Sequence, residues 1–150
     1  MTGSEESNLI SSTIRVRSVG ERGPEEDASS WRVESLRHFR LRAGINNQRL
    51  LAHHSGVTQQ TISFLEAGKG YLSPALATRL APILGVEAAD LRLAHNLWVF
   101  QGKLGRDDLT PSATLYALRR LISMRPLARS PEQTRQFERT SKRLFELISR

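Results

Sequence analysis

The chain has no cysteine. That excludes disulfides and thiolate metal sites and fits a reducing cytoplasm. No apolar run approaches the roughly 20 residues needed to cross a bilayer. The N-terminus, MTGSEESNLISS, has neither the basic start nor the apolar stretch of a secretory signal. A soluble cytoplasmic protein is expected. Strand patterning is nearly absent as well: only Thr13-Ile14-Arg15-Val16-Arg17 alternates, so the body is expected to be all-α. Catalytic constellations are also missing. His53 and His54 are neighbours on one helix, point about 100° apart and cannot hold one metal together. His38 and His95 have no partner at ligand spacing. Asp107-Asp108 reads as a loop start and cap rather than a carboxylate pair. Gly68-Lys69-Gly70 lacks the strand and spacing of a phosphate-cradling loop. With no nucleophile–base pair and no ligand cluster, neither enzymatic activity, metal nor cofactor is expected.

Positive charge, by contrast, is plentiful. Lys and Arg number 22 against 15 Asp and Glu, a formal net charge of +7, and arginine supplies nearly all of it. Residues 1–30 sum to −3, while residues 31–93 hold eight basic and four acidic side chains and residues 94–150 hold eleven and five. An acidic-leaning tail thus precedes a basic body. A polyanionic partner suits that body, and the planar guanidinium suits phosphate better than an ammonium does.

At 150 residues the chain can form one compact core, and its 39% hydrophobic content leaves room for a polar arm. Residues 1–29, rich in Ser, Glu and Gly, read as a flexible, disordered N-terminal arm. Its Arg15, Arg17 and Arg22 could follow a DNA groove, or the arm could be a plain solvated tail. From Ser30, a candidate N-cap, the residues Trp31, Val33, Leu36, Phe39 and Ala43 form one helical stripe that ends at Gly44. Asn47 caps a second helix, Thr58 a third, and Ser73 followed by Pro74 a fourth that ends at Gly85. A fifth starts near Glu87 with Leu91, Ala94, Leu97 and Trp98 as its apolar face. After a loop over Gly102–Asp108, Thr110 caps a helix to about Met124 with Leu115, Leu118, Leu121 and Ile122 on one side. Ser130 caps the last, to about Ser149, with Phe137, Leu144, Phe145 and Ile148 apolar. Residues 30–93 are expected to form one domain and residues 94–150 a helical extension.

The stretch Leu51–Lys69, LAHHSGVTQQTISFLEAGK, holds a short helix, a glycine turn at Gly56 and a second helix beginning Gln59-Gln60. In a helix-turn-helix the first helix braces across the DNA backbone and the second puts its N-terminal end into the major groove. Ala52, Val57, Ile62 and Leu65 can pack the two helices together. Gln59 and Gln60 then lie at the reading end, with Ser63 and Phe64 one turn further along. A glutamine amide can bond adenine N6 and N7 together, worth about 1–3 kcal/mol of discrimination. Phe64 could touch a thymine methyl or shield the interface.

With Gln48 in front, this segment resembles the phage-repressor-type (Cro/repressor, XRE) helix-turn-helix family. Asn47, Gln48, Leu51, Ala52, Gly56, Val57, Thr58, Thr61, Ile62, Ser63, Glu66, Gly68 and Lys69 match the family pattern, and the resemblance runs from about Trp31 to Leu91. It implies a five-helix lambda-repressor-like domain bound to double-stranded DNA. By position it implies that Gln59, Gln60 and Ser63 face the bases, beside the Phe64 contact read above, and that Gln48 bonds a phosphate and braces Gln59. Arg49, Thr58, Thr61, Lys69 and Tyr71 would hold further phosphates, and Glu66 would be structural. Three places depart from the pattern. The turn Gly44-Ile45-Asn46-Asn47 is one residue longer, Leu72 stands where proline is usual, and Pro82 falls inside the fourth helix, which it should bend or shorten.

The narrow apolar stripe of the last helix suits a partner chain, so the C-terminal helices are expected to form a homodimer. The alternative is that they pad the core of a monomer. The function expected is sequence-specific transcriptional regulation, as a repressor of an inverted-repeat operator. Two other readings stand beside it: an antitoxin that also binds a toxin protein, and a non-specific architectural DNA-coating protein.

Overall fold

A computed structural model describes residues 31–105 and 110–149. The expected arm at 1–29, the Ser30 cap and the Asp107-Asp108 loop lie outside the described residues. Among the described residues every regular element is helical: α1 Leu36–Arg42, α2 Gln48–Ser55, α3 Gln59–Glu66, α4 Pro74–Leu84, α5 Ala88–Leu104, α6 Pro111–Met124 and α7 Pro131–Ile148, with a 3₁₀ turn at Arg125–Leu127.

Local capping places most of the starts. Asn47 Oδ1 accepts from the Leu50 N–H at 2.8 Å, Thr58 Oγ1 from Thr61 at 3.2 Å and Ser73 Oγ from Leu76 at 3.2 Å. Thr110 and Ser130 do the same for Ala113 and Gln133, both at 3.1 Å. Each such cap is worth about 1 kcal/mol. Pro74, Pro111 and Pro131 occupy first-turn positions, where the missing N–H costs nothing. Pro82 does not shorten α4 appreciably. The helix runs two residues past it and closes at Gly85, because Pro82 falls in the last turn on the exposed side.

The first helix corrects the expectation from the Trp31 stripe: residues 31–35 are not helical and α1 begins at Leu36. Distant groups set that start. The Leu36 N–H, a donor with no partner inside its own helix, bonds His95 Nδ1 on α5 at 3.0 Å. Ser35 Oγ lies 3.0 Å from His38 Nδ1, and the buried Glu34 pairs with Arg42.

Helix α5 is the hub, packing against α1, α4, α6, the 3₁₀ turn and α7. Enclosure on several sides explains why its buried set is wider than the expected Leu91, Ala94 and Leu97. It also takes in Leu93, His95, Asn96, Val99, Phe100 and Leu104, whereas Trp98 is only partly covered. The helix crosses residues 93 and 94 without a break and includes Gly102, where a loop was expected.

Helix α7 docks on the same chain. Gln133, Phe137, Thr140 and Leu144 are buried. Near its start, Arg129 and Gln133 bond Asp90 at 2.8 and 2.7 Å; further along, Thr140 Oγ1 accepts from Gln101 at 3.0 Å. Helix α6 buries Ala117, Leu121 and Met124 and turns Leu115 and Ile122 outward, 53% and 68% exposed. The four aliphatic residues expected on one side therefore divide between two faces. No helix among the described residues is long and apolar enough to cross a membrane.

Candidate nucleic-acid interface

The α2–turn–α3 unit rests on Leu51, Val57, Ile62 and Leu65, all buried. Gly56, at φ +72°, occupies the left-handed conformation that the tight turn requires, which strains a residue carrying a Cβ. Its carbonyl accepts from Arg79 Nη1 of α4 at 3.1 Å, tying the turn to the rest of the domain.

This frame leaves Thr58, Gln59, Gln60, Ser63, Phe64 and Lys69 exposed, together with Arg49 on α2. Thr61 is half-buried, its hydroxyl 2.9 Å from that of Thr58. A polar cleft of about 690 Å³ brings Gln48, Arg49, Gln59 and Ser63 together with Arg37, Asn46 and Asn47. Arg37 and the two asparagines were not among the residues expected at the site. The signal for them was weak: an exposed arginine on α1 and polar residues in the α1–α2 turn.

The floor of the cleft is ionic. Glu66 accepts from Arg40 Nε at 2.7 Å and Nη2 at 3.1 Å, and both side chains are almost fully buried, with 4% and 6% exposed. Arg40 also donates to the Ile45 carbonyl at 3.0 Å, which fastens the α1–α2 turn. Gln48 Nε2 donates to Glu66 Oε1 at 3.1 Å. In the free protein Gln48 is therefore held by Glu66, on the structural side of the motif.

The loop after α3 is held by α5. His95 Nδ1 accepts from Leu36, so its proton must sit on Nε2, which then donates to the Gly70 carbonyl at 3.2 Å. Burial lowers the His95 pKa to about 4, opposed by the Gly70 bond and by Glu66. Asn96 pairs with both backbone groups of Leu72, accepting from its N–H at 2.7 Å and donating to its carbonyl at 3.1 Å. A proline at position 72 would lack the N–H that Asn96 accepts. That explains how this chain accommodates its departure from the family pattern.

Phe64, half exposed, packs against Gly70: a methyl group on Gly70 would come within 2.4 Å of its ring. Tyr71 is only partly exposed, and burial is the main reason its hydroxyl pKa is pushed up to about 12. The His53 and His54 rings meet edge to face at 5.5 Å on the exposed side of α2.

Residues 36–91 match the family model described as helix-turn-helix. No match was found among curated proteins or among solved structures.

Proposed function

We propose that this chain, whose residues 36–91 form an XRE-type helix-turn-helix DNA-binding domain, is a sequence-specific transcriptional regulator that represses from an inverted-repeat operator. The observation that carries the reading is the first turn of α3. Thr58 caps it, Ile62 and Leu65 anchor it, and Gln59 and Gln60 stand free at its solvent end beside the basic cleft. Gln59, Gln60, Ser63 and Phe64 face base edges in this reading. Arg49, Thr58, Thr61 and Lys69 hold backbone phosphates, joined by Gln48 through the part of its amide not given to Glu66.

Gln59→Ala and Gln60→Ala should each weaken operator binding by about 1–3 kcal/mol and relax base preference at one position. Selection of bound sites from random DNA, repeated with each variant, reads this directly. Unchanged selections in both variants would sink the recognition-helix assignment. Equal binding of all sequences by the wild type, abolished at moderate salt, would favour the architectural role.

One helix-turn-helix reaches few base pairs, and two placed about 34 Å apart read a two-fold site. The proposed dimer uses the residues that the C-terminal helices leave outward: Leu115 and Ile122 on α6, Phe145 and Ile148 on α7. Because α7 packs on α5, removing the whole extension would uncover the core, so point changes make the cleaner test. Ile122→Asp combined with Phe145→Asp should leave the fold intact and halve the mass seen by light scattering. A protein that keeps its mass with both changes does not dimerise through this surface.

A further inference from the structure

The helix-turn-helix match ends at residue 91, yet the loop leaving α3 is met by cations from further along the chain. Tyr71 lies two residues after the exposed Lys69. The guanidinium of Arg120, on α6, stands 4.3 Å from the centre of the Tyr71 ring, and Lys103 Nζ, on α5, stands 5.1 Å from it. Arg120 Nε also donates to the Tyr116 hydroxyl at 3.2 Å, which fixes the guanidinium in place. Lys103 is exposed and Arg120 partly so. Among the described residues neither forms an ion pair with a carboxylate, unlike Arg40, Arg42, Arg129 and Arg135. An aromatic face holds a cation without cancelling its charge. Both charges therefore stay available to an anion at the end of α3.

We propose that Lys103 and Arg120 form, with Lys69 and Tyr71, a clamp on the DNA backbone that flanks the bases read by α3. The inference rests on the DNA-binding function proposed above. It gives the helical extension a direct part in the DNA footprint, separate from any part in dimerisation. Arg120 supplies a planar fork suited to phosphate oxygens, and Lys103 a mobile point charge. Contacts of this kind add affinity and fix register without reading sequence. Each phosphate neutralised should steepen the fall of log affinity with log salt by about 0.9.

The test uses the full chain and two duplexes carrying the selected site: one with a helical turn of flanking DNA on each side, one trimmed to the selected bases. On the long duplex, Lys103→Gln with Arg120→Gln should make the salt dependence shallower by about 1.8 per bound protomer, and Lys103→Gln alone by about 0.9 per bound protomer. Base preference should stay as in the wild type, and on the trimmed duplex the variants should match the wild type. Arg120→Lys should keep the slope. If Arg120 only staples α6 to the loop, the slope on the long duplex will not change in folded variants. That result, with Gln59→Ala still relaxing base preference, overturns the clamp and leaves the proposed function standing. A wild-type chain that binds neither duplex overturns both.

Discussion

Glu66→Ala should lower the stability of the domain by about 3–5 kcal/mol, because it strands the Arg40 guanidinium in the interior with no counter-charge. The geometry makes the loss large. Arg40 gives Glu66 two bonds, at 2.7 and 3.1 Å, and only 6% of its side chain reaches solvent. An exposed ion pair such as Arg129–Glu87 is worth ~1 kcal/mol or less by comparison. Thermal unfolding should shift down by roughly 10 °C or more at this loss. Arg40→Met together with Glu66→Leu should recover most of it, since a well-packed apolar pair often equals a buried ionic one. The recovery will be incomplete, because the Ile45 carbonyl also loses its donor. A Glu66→Ala cost below about 1 kcal/mol would mean that Arg40 finds water in the variant and that the pair is not the floor of the site. The double variant separates stability from function: folded but without Glu66, it leaves Gln48 unbraced and should bind DNA more weakly than the wild type.

What was legible in the sequence was local. Asn47, Thr58, Ser73, Thr110 and Ser130 each cap a helix by bonding an N–H three residues on, so residue type and spacing suffice to find them. The exposed first turn of α3 was legible for the same reason: a cap followed by the buried Ile62 and Leu65 leaves Gln59 and Gln60 outward. What was not legible depends on groups far apart in the chain. The start of α1 is set by His95, 59 residues away, and overrides an apolar stripe that runs back to Trp31. The tolerance of leucine at position 72 depends on Asn96, 24 residues on. Helix α5 looked one-sided because its second set of neighbours, the 3₁₀ turn and α7, comes later in the chain. The cations around Tyr71 come from positions 103 and 120 and carry no spacing signal at all.

His95 gives the second large effect, and this one depends on pH. The imidazole is fully buried and neutral, with Nδ1 occupied by the Leu36 N–H. Burial penalises the charged form and lowers the folded-state pKa from 6.5 to about 4, although the Gly70 bond and Glu66 oppose it. An unfolded chain therefore binds this proton more readily than the folded one. The stability that His95 contributes is complete above about pH 7 and is lost as pH falls from about 6.5 to about 4. The amplitude is on the order of 3 kcal/mol, from 1.36 kcal/mol per pKa unit. Urea unfolding across that range should show the loss, and exchange of the Leu36 amide should speed up with it. His95→Leu removes both the titration and the two bonds. It should start about 2–4 kcal/mol less stable at neutral pH, since the Leu36 N–H and Gly70 carbonyl are left without partners. Its stability should then fall less on acidification, by about the His95 amplitude. If His95→Leu shows the same acid slope as the wild type, other groups carry the titration, and the bridge from α1 to the loop after α3 is not pH-sensitive.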